Sequence, residues 1–184
     1  MPLDPDLNEF TTASQSVATY DFVDINEGTG TVLYYLTIQA TSGGATYALK
    51  RDILSSGGVQ ANMALTHGNT YNVDILFNTP KTVTGTATIS AELEKAGNNM
   101  NMTITFKKVS AATTSISSAI VSPTGDADGY IFNVPVPLTE TVFAAGDTLR
   151  VTITPSGVGS KIWADPSAST GLPFKVLVPF KLDL

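Results

Sequence analysis

From Thr82 to Leu93 the chain alternates strictly between two kinds of side chain. Val83, Gly85, Ala87, Ile89, Ala91 and Leu93 hold the odd positions, and Thr82, Thr84, Thr86, Thr88, Ser90 and Glu92 hold the even ones. A period of two belongs to a strand, since a helix would scatter these residues around its axis. One apolar face and one hydroxyl-rich face predict an antiparallel strand buried on one side. Tyr71, Val73, Ile75 and Phe77 repeat the pattern, as do Met100, Met102, Ile104 and Phe106. Leu149, Val151 and Ile153 form another set, and Phe174, Val176, Val178, Phe180 and Leu182 the last.

Further strands are expected at Ser16–Ile25, Thr31–Thr41, Thr46–Ile53, Thr114–Val121 and Tyr130–Leu138. The last carries Pro135 and Pro137 on one face, and a proline cannot donate to a ladder, so this strand belongs at an edge or a bulge. Turn signals such as Ser42-Gly43-Gly44, His67-Gly68-Asn69 and Pro155-Ser156-Gly157 separate the runs. The 26 Thr, 15 Gly and 10 Pro suit strands and turns. The expected fold is all-β: one antiparallel β-sandwich, jelly-roll-like, of about eight to ten strands. Its core would draw on the apolar positions named above. The only helical expectations are Asp4–Ala13 and a short turn near Gly58–Leu65. Residues 1–14 read as an acidic arm and 15–184 as the single domain. Gly157–Pro173 reads as a long Gly/Ser/Ala/Pro-rich connection holding Trp163, and a loop of that length usually has a function.

Charge is distributed unevenly. Asp4, Asp6, Glu9, Asp21, Asp24 and Glu27 precede the first base, Lys50, and the rest of the chain carries ten acids and ten bases. Without a basic stripe, nucleic-acid binding has no electrostatic driving force. The first residues lack the basic and apolar regions of a signal peptide, and no apolar run approaches a membrane span. Neither nucleic acid nor membrane is therefore expected as a partner. With no cysteine and one histidine, thiolate sites and multi-histidine sites within the chain are excluded.

Candidate chemistry is sparse. His67 sits in a turn, no Gly-x-Ser-x-Gly elbow accompanies it, and an exposed turn histidine is the simpler reading. Asp126 and Asp128, between Gly125 and Gly129, resemble a fragment of a calcium loop but lack its remaining ligands, so a surface turn is the better reading. Asp4-x-Asp6-x-Asn8 has similar spacing and the same weakness. Glu92 and Glu94 share a strand face, yet their place at a strand end beside Lys95 suggests solvated groups. No catalytic residue and no cofactor are expected. Trp163 is either an interface residue or a plug at the end of the sandwich. Leu3, Leu7 and Phe10, with Asp4 and Asp6, form a candidate docking arm: the acids would steer a partner and the apolar groups would be buried against it.

The run from Phe143 through Ala144-Ala145-Gly146-Asp147-Thr148 to Leu149-x-Val151-x-Ile153 reads as a core-capping aromatic, a turn and an entering strand. Together with Val73–Gly85 it resembles virion structural proteins of tailed bacteriophages, nearest in style to jelly-roll capsid decoration (cement) proteins. The resemblance covers roughly 25 residues and carries over no functional residue. It implies a non-enzymatic protein on the virion surface, made in the host cytoplasm, bound to a major capsid protein and often trimeric. The low charged fraction, 14%, fits a surface covered by partners. Self-association is also suggested by apolar groups on both faces of Leu33–Ile38 and Phe174–Leu182. The alternatives are a tail, baseplate or fibre component, or a carbohydrate-binding module using Trp163, Tyr34, Tyr35, Tyr47 and Phe174.

Overall fold

The computed structural model describes residues 29–41, 44–51, 62–95, 101–121, 130–157, 159–164 and 172–181. Eleven strands follow in chain order: β1 (Thr29–Thr41), β2 (Gly44–Lys50), β3 (Asn62–Leu65), β4 (Tyr71–Leu76), β5 (Lys81–Lys95), β6 (Asn101–Val109), β7 (Thr113–Val121), β8 (Tyr130–Phe143), β9 (Thr148–Ser156), β10 (Ser160–Trp163) and β11 (Lys175–Lys181). The all-β sandwich is as expected, with one strand more than the expected range. The candidate helix Asp4–Ala13, the candidate strand Ser16–Ile25 and the arm 1–14 lie outside the described residues.

The strand order is β3-β10-β5-β11-β1-β2-β4-β9-β6-β7, with β8 also paired to β5. Ser90 pairs with both Lys175 of β11 and Asn133 of β8, so β8 and β11 flank β5 on opposite sides. All ladders are antiparallel except β2–β4, a single parallel pair, Ala48↔Asp74, where the sheet is nearly divided in two. The two halves face each other across one core. Phe77, just after β4, packs edge-on against Phe143 of β8 and Phe180 of β11, with centroids 5.0 and 5.8 Å away. Val83, Ala87, Ile89, Val73, Ile75, Met102, Ile104, Phe106, Leu149, Val151, Ile153, Val176 and Val178 are all buried in that core, and Tyr71 packs half-buried at its border. Alternation thus became burial because the strands turn one face to the core, although Thr37, Thr152 and Pro179 are buried on the opposite face as well.

The prolines explain where ladders stop. Pro137 turns its carbonyl toward β7, accepting a hydrogen bond from Ser117 Oγ, so its missing N–H lies on that same side. Pro135, two residues away, has the same orientation and also leaves β8 without a donor toward β7. The edge position expected for this strand is borne out, and a bulge follows the prolines without falling on them. Between Val83↔Thr141 and Gly85↔Leu138, β8 carries one residue more than β5. Pro179 acts likewise on β11. The β5–β11 register shifts between Leu177 and Phe180, and Gly85 of β5 lies beside the Pro179 ring with φ +99°. A Cβ there would meet that ring at an ordinary 3.5 Å, so conformation, not space, demands glycine. Gly85→Ala is expected to cost about 1–2 kcal/mol in urea unfolding, with the native circular dichroism spectrum retained.

Two expectations are corrected. The predicted helical turn near Gly58–Leu65 is, over its described part, strand β3. The long connection Gly157–Pro173 contains strand β10, which pairs with β3 on one side and with the end of β5 on the other.

Candidate functional site

The outer face of the β8-β5-β11-β1-β2 half carries side chains aligned in rows by the strand registers. Registers place Tyr35 opposite Lys175 on one side and Lys50 on the other. The row continues through Ser90 to Asn133, and Ser90 Oγ donates to Asn133 Oδ1 at 3.0 Å. Two ammonium groups thus flank one half-buried tyrosine, their Cα atoms about 10 Å apart by strand spacing. The next row is apolar: Leu33 faces Leu177, and Thr88 and Pro135 extend it. Pro179 below them is buried although it points outward. This face suits a partner that combines carboxylates with apolar side chains.

The residues singled out from sequence fall elsewhere. Leu3, Asp4, Asp6, Leu7 and Phe10, together with Asp126 and Asp128, lie outside the described residues. Among the described residues no group of three or more His, Asp and Glu side chains is placed to hold a metal. Trp163 is half-buried on β10, its carbonyl accepting from Phe174 N–H at 2.8 Å. Glu92 is not merely a solvated strand end, since its Oε2 accepts from Leu172 N–H at 2.8 Å and ties the entry of β11 to β5. Glu94 pairs with Lys161 at 2.9 Å. His67 is exposed, as expected, but engaged: its Nδ1 accepts from Gly157 N–H at 2.9 Å. Gly68 N–H reaches Pro155 O at 3.1 Å, so the turn after β3 is stitched to the end of β9. Of the aromatics considered for sugar binding, Tyr34 and Phe174 are core residues. Tyr47 packs edge-on against Tyr71 at 6.2 Å.

Two ion pairs brace the second half. Arg150 donates from Nε and Nη2 to the two carboxylate oxygens of Asp74, both at 2.7 Å, on paired strands. At the sandwich end, Asp147 accepts from Ala144 N–H at 2.8 Å and meets Lys108 Nζ at 3.0 Å. Lys108 also donates to Val142 O at 2.6 Å and lies over the Phe143 ring. The turn N–H first, and then the ammonium, hold the Asp147 carboxyl below the usual carboxylate range. A depressed carboxyl pKa gives stability that is present above the unfolded-state value and lost as pH falls through the folded one. Stability is therefore expected to fall on acidification below about pH 4, and Asp147→Asn to flatten that part of a melting-temperature profile.

No protein-family model matches the chain, and no curated protein does either. Solved structures share the fold. A CocE/NonD-family hydrolase from Staphylococcus aureus superposes with a TM-score of 0.59 at 8% identity, over 80% of this chain and 36% of that one. An aminopeptidase from a marine sediment Thaumarchaeota archaeon gives 0.57 at 9% identity, over 81% and 37%. An α-amino acid ester hydrolase gives 0.56 at 10%, over 79% and 36%. The chain therefore spans little more than a third of the length of these proteins, and what is shared is the fold. These matches correct the expectation of a non-enzymatic virion protein: the three structures that superpose here over about four fifths of the chain are a CocE/NonD-family hydrolase, an α-amino acid ester hydrolase and an aminopeptidase. The segments behind the phage resemblance are partners in one turn. Phe77 N–H donates to Asp147 O, and Gly146 N–H to Phe77 O. They encode a way of closing a sandwich, which many functions can share.

Proposed function

We propose that this chain is the β-sandwich component of a hydrolase acting on aminoacyl esters or amides. One observation carries the reading: an α-amino acid ester hydrolase, an aminopeptidase and a CocE/NonD-family hydrolase each match about four fifths of this chain, while the chain spans little more than a third of each of them. A unit of that size needs a surface for the remainder of the enzyme, and the edge strands offer one. Ile120 on β7 is 71% exposed, and Ile131 and Val142 on β8 are 66% and 62% exposed. Scattered exposed aliphatics are ordinary, but here three of the four large ones described lie on two neighbouring edges. In this reading the nucleophile and base come from the remainder of the hydrolase, because the His67 Nδ1 lone pair is committed to Gly157.

The test is a turnover assay on material isolated under native conditions through a tag on this chain. Aminoacyl p-nitroanilides and α-amino acid esters are the substrates. Saturable turnover eluting with the chain in size exclusion is expected. A folded chain whose every fraction lacks turnover would sink the reading.

A further inference from the structure

We infer that the outer face centred on Lys175, Tyr35 and Lys50 is the docking surface for the chain's own acidic segment, residues 1–28. The inference does not depend on the hydrolase reading. The face joins a basic row to an apolar row, and the segment combines the same two characters with opposite charge. It carries Asp4, Asp6, Glu9, Asp21, Asp24 and Glu27 with no base, alongside Leu3, Leu7, Phe10, Val17, Phe22 and Ile25. Its point of attachment favours this face. Residue 28 joins β1 at Thr29, which pairs with Lys181, so the segment starts at the border of the same strands. Tyr35 lies six residues along β1, about 20 Å at the rise of a strand. Asp21 stands eight residues before Thr29, enough extended chain to cover about 26 Å. Folded back over the face, Asp21 and Asp24 reach the ammonium groups while Phe22 and Ile25 reach Leu33 and Leu177. A second copy fits less well, because two such faces meeting about an axis near Tyr35 would set Lys175 and Lys50 against their own equivalents.

Carbodiimide coupling on the full chain tests this, since it joins a carboxylate to an amine only at contact distance. An equal mixture of 14N- and 15N-labelled chains separates coupling within a chain from coupling between chains. Lys161–Glu94, at 2.9 Å, is the internal control. Links from Lys175 or Lys50 to Asp21 or Asp24 within one isotopic chain are the expected result. Links only between differently labelled chains would assign the face to a second copy and overturn the inference. Coupled controls without any such link would overturn it too. As an independent arm, Lys50→Glu with Lys175→Glu should speed chymotryptic cleavage after Phe10, Tyr20 and Phe22 about fivefold at low salt. An unchanged cleavage rate would contradict the docking.

Discussion

Phe143→Ala is expected to lower the unfolding free energy by about 3–5 kcal/mol, a large share of the 5–15 kcal/mol typical of a domain. Phe143 is fully buried where β8 ends, edge-on to Phe77 at 5.0 Å. Phe77 in turn touches Phe180, so removing the ring opens a cavity between the two halves of the sandwich. The loss should also reach the Lys108–Asp147 contact, because Lys108 lies over the same ring, 5.5 Å from its centroid. Urea unfolding followed by circular dichroism would read the effect as a shift in midpoint with little change in slope. A loss under about 1 kcal/mol would mean that the ring does not join the two halves as described.

Ile162→Ala is expected to cost about 2–4 kcal/mol, although the sequence places Ile162 in what reads as a loop. The residue is fully buried and pairs with Met63 on β3 and Leu93 on β5. It is the middle of a three-strand patch that extends the core past the start of β11. A free connection would tolerate alanine within about 0.5 kcal/mol, so the same urea experiment distinguishes a strand from a loop.

The two cases show what alternation can and cannot reveal. β4, β5, β6 and β9 are legible because each presents several apolar residues to the core and mostly polar ones away from it, and β11 because Phe174, Val176, Val178 and Phe180 keep a period of two even though Leu177 and Pro179 lie on its other face. β3 and β10, four residues each, are too short for a period to register. Their extended form is imposed by pairing, β10 with the end of β5 and β3 with β10, a tertiary effect that local propensity does not contain. β8 runs on to Phe143, beyond the expected Leu138, because the bulge near Thr139 shifts its parity midway. The outer-face row was not legible, although its residues are ordinary. Tyr35 and Lys50 meet across the β1–β2 hairpin, and Lys175 joins them only through the register of β11, more than a hundred residues away in sequence. The Glu92 tether to Leu172 N–H depends on the same kind of distant pairing. The function drawn from the phage resemblance is corrected for a related reason. Its residues specify the Ala144–Asp147 turn held against Phe77, and a turn that closes a sandwich says little about what the sandwich serves.

The proposed function depends on a sandwich joined to the rest of a hydrolase through its β7 and β8 edges. Ile120→Lys with Ile131→Lys tests that joint most directly, because both positions are solvent-exposed and the substitutions should leave the melting temperature of the chain within a few degrees. Aminoacyl ester turnover isolated through the tagged double variant should fall at least about tenfold below that isolated through the native chain. Equal turnover from both, with both chains folded, would contradict the account.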